Sequence, residues 1–264
     1  MDLQLNSRHA LVTGSTSGIG YAIARGLAAE GAHVTITGRT QATVDAALTR
    51  LSKTVADAHA DGIAADCATA AGAEAVFARV PQVDILVNNL GIYERKPFFD
   101  IPDADWMRLF EANVLSGVRF SRHYAPEMVK RGWGRVLFIS SESALNIPKE
   151  MIHYGMTKTA QLSIAHGLAI ELAGTGVTVN TVLPGPTRTE NTEKLRADRA
   201  KAAGISVAEL ERDFFVSFRP TSLLKRFTSA EEVANMAVYL CSPLSSATSG
   251  AALRADGGVV NQIM

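Results

Sequence analysis

Cysteine is almost absent from this chain, with two in 264 residues. Cys67 and Cys241 cannot build a disulfide framework, so both are expected as small buried hydrophobes. The six histidines are scattered, with no Cys/His cluster of the kind a structural metal site needs. Net charge is missing altogether, because 26 Lys and Arg balance 26 Asp and Glu. Nothing in that balance draws the chain towards nucleic acid or an acidic membrane. No apolar run approaches the roughly 20 residues of a membrane span. The first residues also lack the basic and then apolar pattern of a secretory signal. The expectation is a cytoplasmic protein acting on a small molecule, with neither nucleic acid nor membrane as partner. What is present is an ordinary globular composition, 47% hydrophobic and 20% charged, in a length sufficient for one large domain.

Short β-branched runs alternate with longer stretches of helical character. Strands are expected at 8–13, 32–37, 62–66, 83–88, 134–141, 176–183 and 251–255. Helices are expected at 18–30, 40–52, 69–79, 103–130, 153–173 and 229–241. Nearly continuous apolar runs such as Val83-Asp84-Ile85-Leu86-Val87 suit strands covered on both faces. The alternation predicts an α/β fold, a doubly wound, seven-stranded parallel sheet with helices on both faces. One segment breaks the rhythm. Residues 186–226 are polar and charged, show no strand and far exceed an ordinary connection. They are expected to form a substrate lid with one or two short helices, inside a single domain of 1–264.

The run Thr13-Gly14-Ser15-Thr16-Ser17-Gly18-Ile19-Gly20 follows the first strand and opens the first helix. Glycine there permits a tight turn and lets backbone amides approach a phosphate, while the helix N-terminus stabilises its charge. The second strand ends in Thr37-Gly38-Arg39, with no acid before Asp45. A carboxylate at that point would bind the ribose hydroxyls of NAD. Arg39 instead suits a 2′-phosphate, with Gly38 leaving room and Ser15 and Thr16 offering hydroxyls. NADP(H) is therefore the favoured cofactor, with NAD(H) as the alternative. Further along, Tyr154 stands four residues before Lys158, so in a helix both lie on one face. An ammonium group beside a phenol favours the phenolate, and the tyrosine pKa is expected to fall towards neutrality.

These motifs together resemble the short-chain dehydrogenase/reductase family, in its single-domain form, over nearly the whole chain. Thr13–Gly20 matches its Thr-Gly-x-x-x-Gly-x-Gly cofactor turn, and Asp66 matches the aspartate that meets the adenine ring. Asn88-Asn89-Leu90-Gly91 resembles an Asn-Asn-Ala-Gly element, with leucine in place of alanine. Asn113, Ser141, Tyr154 and Lys158 fall in the order and spacing of the family's catalytic set. Pro184-Gly185 follows the sixth strand, and Thr189 falls where a threonine contacts the nicotinamide amide. Thr187 stands where a branched apolar residue is common. Asp256-Gly257-Gly258 resembles the closing signature. The resemblance implies hydride transfer between a nicotinamide and a carbonyl or secondary alcohol. Tyr154 would be the general acid and base, and Ser141 would bind the substrate oxygen. Lys158 would tune the phenol and hold the nicotinamide ribose. Asn113 would hold a water that links Lys158 to solvent. It also implies a homotetramer, or a homodimer.

Around this set, Ser143 is a candidate substrate contact and is preferred to Glu142. His153 is expected to pack rather than to switch with pH. Residues 93–96 stand at the expected mouth of the site. In the lid, Lys194, Arg196, Arg199 and Lys201 face one acid, Asp198, and are expected as a solvated helix face; an anionic substrate is the alternative. Leu210, Phe214, Phe215 and Phe218 either cover the pocket or pack the lid down. The leading function is an NADP(H)-dependent oxidoreductase on a ketone and secondary alcohol pair. A 3-oxoacyl thioester reductase is the alternative among enzymes, and a non-catalytic sensor of NADP(H) is the alternative outside them.

Overall fold

In the structure, a computed structural model, residues 1–263 are described. Strands β1 (His9–Val12), β2 (His33–Gly38) and β3 (Ala60–Ala64) alternate with helices α1 (Gly18–Ala29), α2 (Gln41–Thr54) and α3 (Ala70–Arg79). Then follow β4 (Ile85–Asn88), α4 (Asp103–Phe110), α5 (Ser116–Lys130), β5 (Gly134–Ile139), α6 (Ile152–Glu171) and β6 (Val177–Pro184). The chain closes with β7 (Thr187–Arg188), α7 (Glu190–Ala203), α8 (Val207–Ser217), β8 (Thr228–Ser229), α9 (Ala230–Leu240) and β9 (Ala252–Ala255).

Seven strands pair in parallel in the order β3-β2-β1-β4-β5-β6-β9. Every residue of β4, β5 and β6 is buried, which is why those runs are so uniformly apolar or β-branched. One face of the sheet packs on α1, α2 and α9 through Ile23, Leu27, Leu51, Val233 and Val238. The other packs on α3, α5 and α6 through Val76, Phe120, Tyr124, Met128 and Ala165. Strand order reverses between β1 and β4, and a crevice opens at the carboxyl ends of the strands there, the usual ligand position in such sheets.

The structure departs from the sequence expectation in three places. The third strand begins at Ala60, so Asp66 lies two residues past its end. The long helix expected over 103–130 is interrupted by a π-helical turn at Glu111–Leu115, which contains Asn113. There the Ser116 amide reaches back to Glu111 O, and the Ser116 hydroxyl donates to Ala112 O at 2.6 Å. An extra residue per turn leaves no periodicity signal in sequence, and such bulges gather at functional sites. Third, the segment expected to lack strands contributes Thr187–Arg188, which pairs in parallel with Thr228–Ser229. This short ladder anchors both ends of the lid, and α7 and α8 lie between. Both helices start on capping boxes, at Thr189 and Ser206. Among the described residues no helix is long and apolar enough to cross a membrane. Both cysteines are buried and unpaired.

Tyr124 is buried beneath α3 and its hydroxyl donates to Val80 O at 2.7 Å. Tyr124→Phe removes that donor and leaves a buried carbonyl unsatisfied, an expected loss of about 1–3 kcal/mol, readable as a lower urea midpoint at unchanged m-value.

Candidate active site

Two cavities meet at the crevice. The first, about 710 Å³, is lined by Gly14, Thr16, Ser17, Gly38, Arg39, Asp66 and Gly91, with Ala104, Met107, Arg108 and Glu111 as its outer wall. The glycines are sterically required. A Cβ on Gly38 would sit 2.4 Å from Thr16 Cγ2, and one on Gly20 would sit 2.3 Å from Asn89 Nδ2. Gly14 and Gly18 adopt positive φ, +61° and +58°. Asn89 braces this turn: its Nδ2 donates to Thr13 O at 2.9 Å and Gly14 O at 3.0 Å. Ile19 and Gly20 lie in the first turn of α1, where amides have no intrahelical acceptor. The Gly18 amide is taken by Glu190 Oε2 from the lid, at 2.9 Å.

Two expected cofactor residues are placed otherwise. Ser15 is fully buried, and its hydroxyl donates to Val12 O at 2.6 Å. The turn itself uses that hydroxyl, which does not face the cavity. Asn88 donates to Ser121 Oγ at 3.1 Å, inside the core against α5. Strand alternation sends its neighbour Asn89 to the turn instead.

The second cavity, about 480 Å³, is lined by Ser141, Ser143, Tyr154, Gly185 and Thr187, and on the lid side by Leu195, Leu210, Phe214 and Phe218. The lid aromatics therefore cover the cavity, while Phe215 is buried against Phe214 and Phe227. Thr187 donates to Gly185 O at 2.9 Å, and Thr189 caps α7. Pro184 closes β6, and a Cβ on Gly185 would lie 2.4 Å from Asp256 O. The Ser141 hydroxyl accepts from the Ser143 amide at 3.1 Å. Ser143 gives its own hydroxyl to Glu142 Oε1 at 3.1 Å. Glu142, passed over in favour of Ser143, is buried, lines the cavity and accepts from Arg219 Nε at 2.9 Å and Nη2 at 2.6 Å. Burial pushes the Glu142 carboxyl up, against the pull of Arg219. His153 packs near Trp106, as expected, with burial holding its pKa low.

Tyr154 and Lys158 share one face of α6, with Lys158 Nζ 5.7 Å from the Tyr154 ring centroid. Nζ donates to Ile139 O at 2.9 Å and to Gln161 Oε1 at 3.2 Å. Gln161 in turn donates from Nε2 to Asn113 O at 2.6 Å. Asn113 is fixed through its side chain: Nδ2 donates to Ile92 O and Thr157 Oγ1, both at 2.9 Å, and Oδ1 accepts from the Ile92 amide at 2.7 Å. The Gln161 side chain thus bridges Lys158 Nζ and Asn113 O. Gln161 was missed, although its i+3 position from Lys158 placed it on the same face.

The expected fall in the Tyr154 pKa does not occur. Burial pushes the phenol up to about 12, with the Ser141 hydroxyl opposing and Glu142 adding to the rise. Burial also brings the Lys158 ammonium down to about 7. A low-dielectric interior disfavours the charged form of each.

A parallel sheet with a glycine turn at its switch point and a serine, tyrosine and lysine beside it defines a Rossmann-type oxidoreductase. The chain belongs to the short-chain dehydrogenase family, whose model matches residues 8–200. It is 49% identical, over the full length of both chains, to an uncharacterized oxidoreductase of Bacillus subtilis, YvaG. Among solved structures it is similar to L-sorbose reductase from Gluconobacter frateurii complexed with NADPH and L-sorbose. The two share a TM-score of 0.93 and 31% identity over 100% of both chains. A putative NAD(P)-dependent gluconate 5-dehydrogenase from Beutenbergia cavernae, with bound NADP, is similar at a TM-score of 0.85. It is 32% identical over 99% of this chain and 100% of that one.

Lys158 sets a pH dependence of stability. Its folded pKa lies below the ordinary 10.5, so between pH 7 and 10.5 the unfolded chain binds the extra proton. Its burial therefore costs stability in full below pH 7, and the cost is relieved as pH rises through that window. Comparing Tm of wild type and Lys158→Met from pH 6 to 10 should show the variant ahead at low pH, with its lead shrinking as pH rises.

Proposed function

We propose that the protein interconverts a ketone and a secondary alcohol with NADP(H), using Tyr154 as general acid and base. The observation that carries this reading is the placement of Tyr154 and Ser141 together on the substrate cavity, with Lys158 buried behind them. The first cavity fits a dinucleotide. Gly38 has no room for a side chain, Gly14 adopts positive φ, the α1 N-terminus favours phosphate, and Arg39 lines the cavity with no acid at the strand end. Arg39 and Thr16 would hold a 2′-phosphate, and Asp66 would meet the adenine ring. When bound, the cofactor supplies or accepts the hydride.

The remaining chemistry belongs to the chain. With its pKa near 12, Tyr154 is protonated at neutral pH and can donate to a carbonyl oxygen being reduced. Ser141 hydrogen-bonds the same oxygen and stabilises the charge developing there. Lys158, whose pKa burial brings down to about 7, can restore the proton to the phenolate. Gln161 keeps Nζ in register with Asn113.

Tyr154→Phe is expected to lower kcat by about 10²–10⁴-fold while NADPH still binds with near wild-type affinity in a fluorescence titration. Retained turnover with ketones would refute the role of the phenol. Arg39→Ala should raise KM for NADPH by about 10–100-fold, the scale of a charge-assisted hydrogen bond, with little change for NADH. Equal losses with both cofactors would remove the 2′-phosphate assignment.

A further inference from the structure

The substrate cavity carries positive charge that its own carboxylates leave uncompensated. Four arginines line it: Arg95, Arg196, Arg199 and Arg219. Arg196 is held by Glu193 and Glu211, and Arg219 by Glu142. Arg95 and Arg199 have no ion-pair partner among the described residues. Of the lining acids, Glu94 is engaged by Lys96 and Arg108, and Glu142 by Arg219. Among the lining acids that leaves Asp213 for the two guanidinium groups, with Glu150 outside the lining also acting on Arg95.

Arg95 and Arg199 also feel each other. Burial, then repulsion by Arg199 and by Arg219, hold Arg95 below the ordinary arginine range, with Glu150 opposing. Arg95 stands on the loop after β4, its guanidinium 5.8 Å from the Phe218 ring centroid. Arg199 stands on α7 of the lid. Residues 104 apart in sequence are thus brought to one cavity whose other wall is Leu195, Leu210, Phe214 and Phe227. Both residues are exposed to an entering ligand, and their planar guanidinium groups match an oxyanion two hydrogen bonds at a time. An anion between them would relieve their repulsion and join lid to body.

We propose that Arg95 and Arg199 form an anion subsite, and that the natural substrate is an oxo acid, or its hydroxy acid, with a carboxylate remote from the reacting carbon. The solvated-face expectation for the lid cations is thereby kept for Lys194 and Lys201, which do not line the cavity, and replaced for Arg199. The proposal rests on the NADP(H)-dependent reading above. A phosphate ester offers the same oxyanion chemistry, and the test separates the two.

With NADPH and the full-length protein, kcat/KM is measured for three pairs. 5-Keto-D-gluconate and L-sorbose differ only in a terminal carboxylate against a hydroxymethyl group. 4-Oxopentanoate is paired with its methyl ester, and D-fructose 6-phosphate with D-fructose. A carboxylate should be preferred to its neutral partner by about tenfold or more, mainly through KM. Arg95→Gln and Arg199→Gln should bring that ratio close to one, while Lys194→Gln keeps it. Preference confined to the phosphate pair overturns the carboxylate assignment. Equal rates within every pair, or a ratio unmoved by both arginine variants, overturns the subsite. Calorimetric titration of NADP+-saturated Tyr154→Phe with D-gluconate and D-glucitol reads binding without turnover. If no ketone is reduced, arginine-dependent gluconate binding in that titration sinks the hydride-transfer reading and retains the subsite. Failure of both rejects both.

Discussion

The amine of Lys158 is held almost out of reach of water, and most of the site is arranged around that constraint. Burying an ammonium group is costly unless acceptors surround it. Here they come from two directions, the Ile139 carbonyl at the end of β5 and the Gln161 amide on α6. Gln161 can face Nζ with its oxygen because its nitrogen has an acceptor of its own, Asn113 O. That carbonyl sits within the π-helical turn, whose Asn113 side chain is pinned by both backbone groups of Ile92. Ile92 follows Gly91, where a Cβ would stand 3.3 Å from Nζ. Four segments distant in sequence are therefore fitted to one nitrogen, and a shift in any of them is felt at the others.

The same burial decides how the proton carriers divide their work. A lysine beside a tyrosine in water would make the phenol more acidic. Inside this protein desolvation dominates, and each group moves towards its neutral form. The phenol remains a proton donor at neutral pH, and the lysine is the group whose charge is poised there. Glu142 reinforces this by adding negative charge near the phenol, while the Ser141 hydroxyl restrains the rise. Groups of different pKa thus stand side by side, an arrangement that suits acid–base catalysis.

The parts of this arrangement that obey local rules were legible in the sequence. Strand and helix order follows from periodicity, and the glycine turn from its place between β1 and α1. Ser141, Tyr154 and Lys158 were placed by the family resemblance, and the structure brings them together. The parts that depend on tertiary placement were not. Ser15 and Asn88 carry suitable donors, yet Ser15 turns back to Val12 O and Asn88 faces α5. No local rule separates Asn88 from Asn89; only the sheet's facing does. The π-helical turn adds a residue without changing composition, so 103–130 reads as one helix. Glu142 looked secondary to Ser143 because its partner Arg219 lies 77 residues away in the lid. The phenol pKa was misjudged for the same reason: adjacency on a helix face is visible in sequence, and the dielectric around it is not.

The lid shows how unequal contacts can look alike in sequence. Two of its contacts with the body run through acids of opposite origin. Glu190 of the lid reaches the Gly18 amide and Arg50 at the glycine turn, while Glu142 of the body reaches Arg219 of the lid beside Ser141. The Arg50–Glu190 pair is about half exposed, where ion pairs contribute little. The Glu142–Arg219 pair is nearly closed off from solvent, and removing either partner would strand a buried charge. The grip at the substrate end is therefore far less tolerant of change than the grip at the cofactor end. A carboxylate also occupies one amide of the turn whose amides would meet the cofactor's phosphates, so that acid and those phosphates repel wherever they meet. The lid is thus tied to the glycine turn by a contact that phosphates bound there would oppose, and to the segment beside Ser141 by a buried pair that they would not reach. Different residues of one segment therefore set its hold at the two ends.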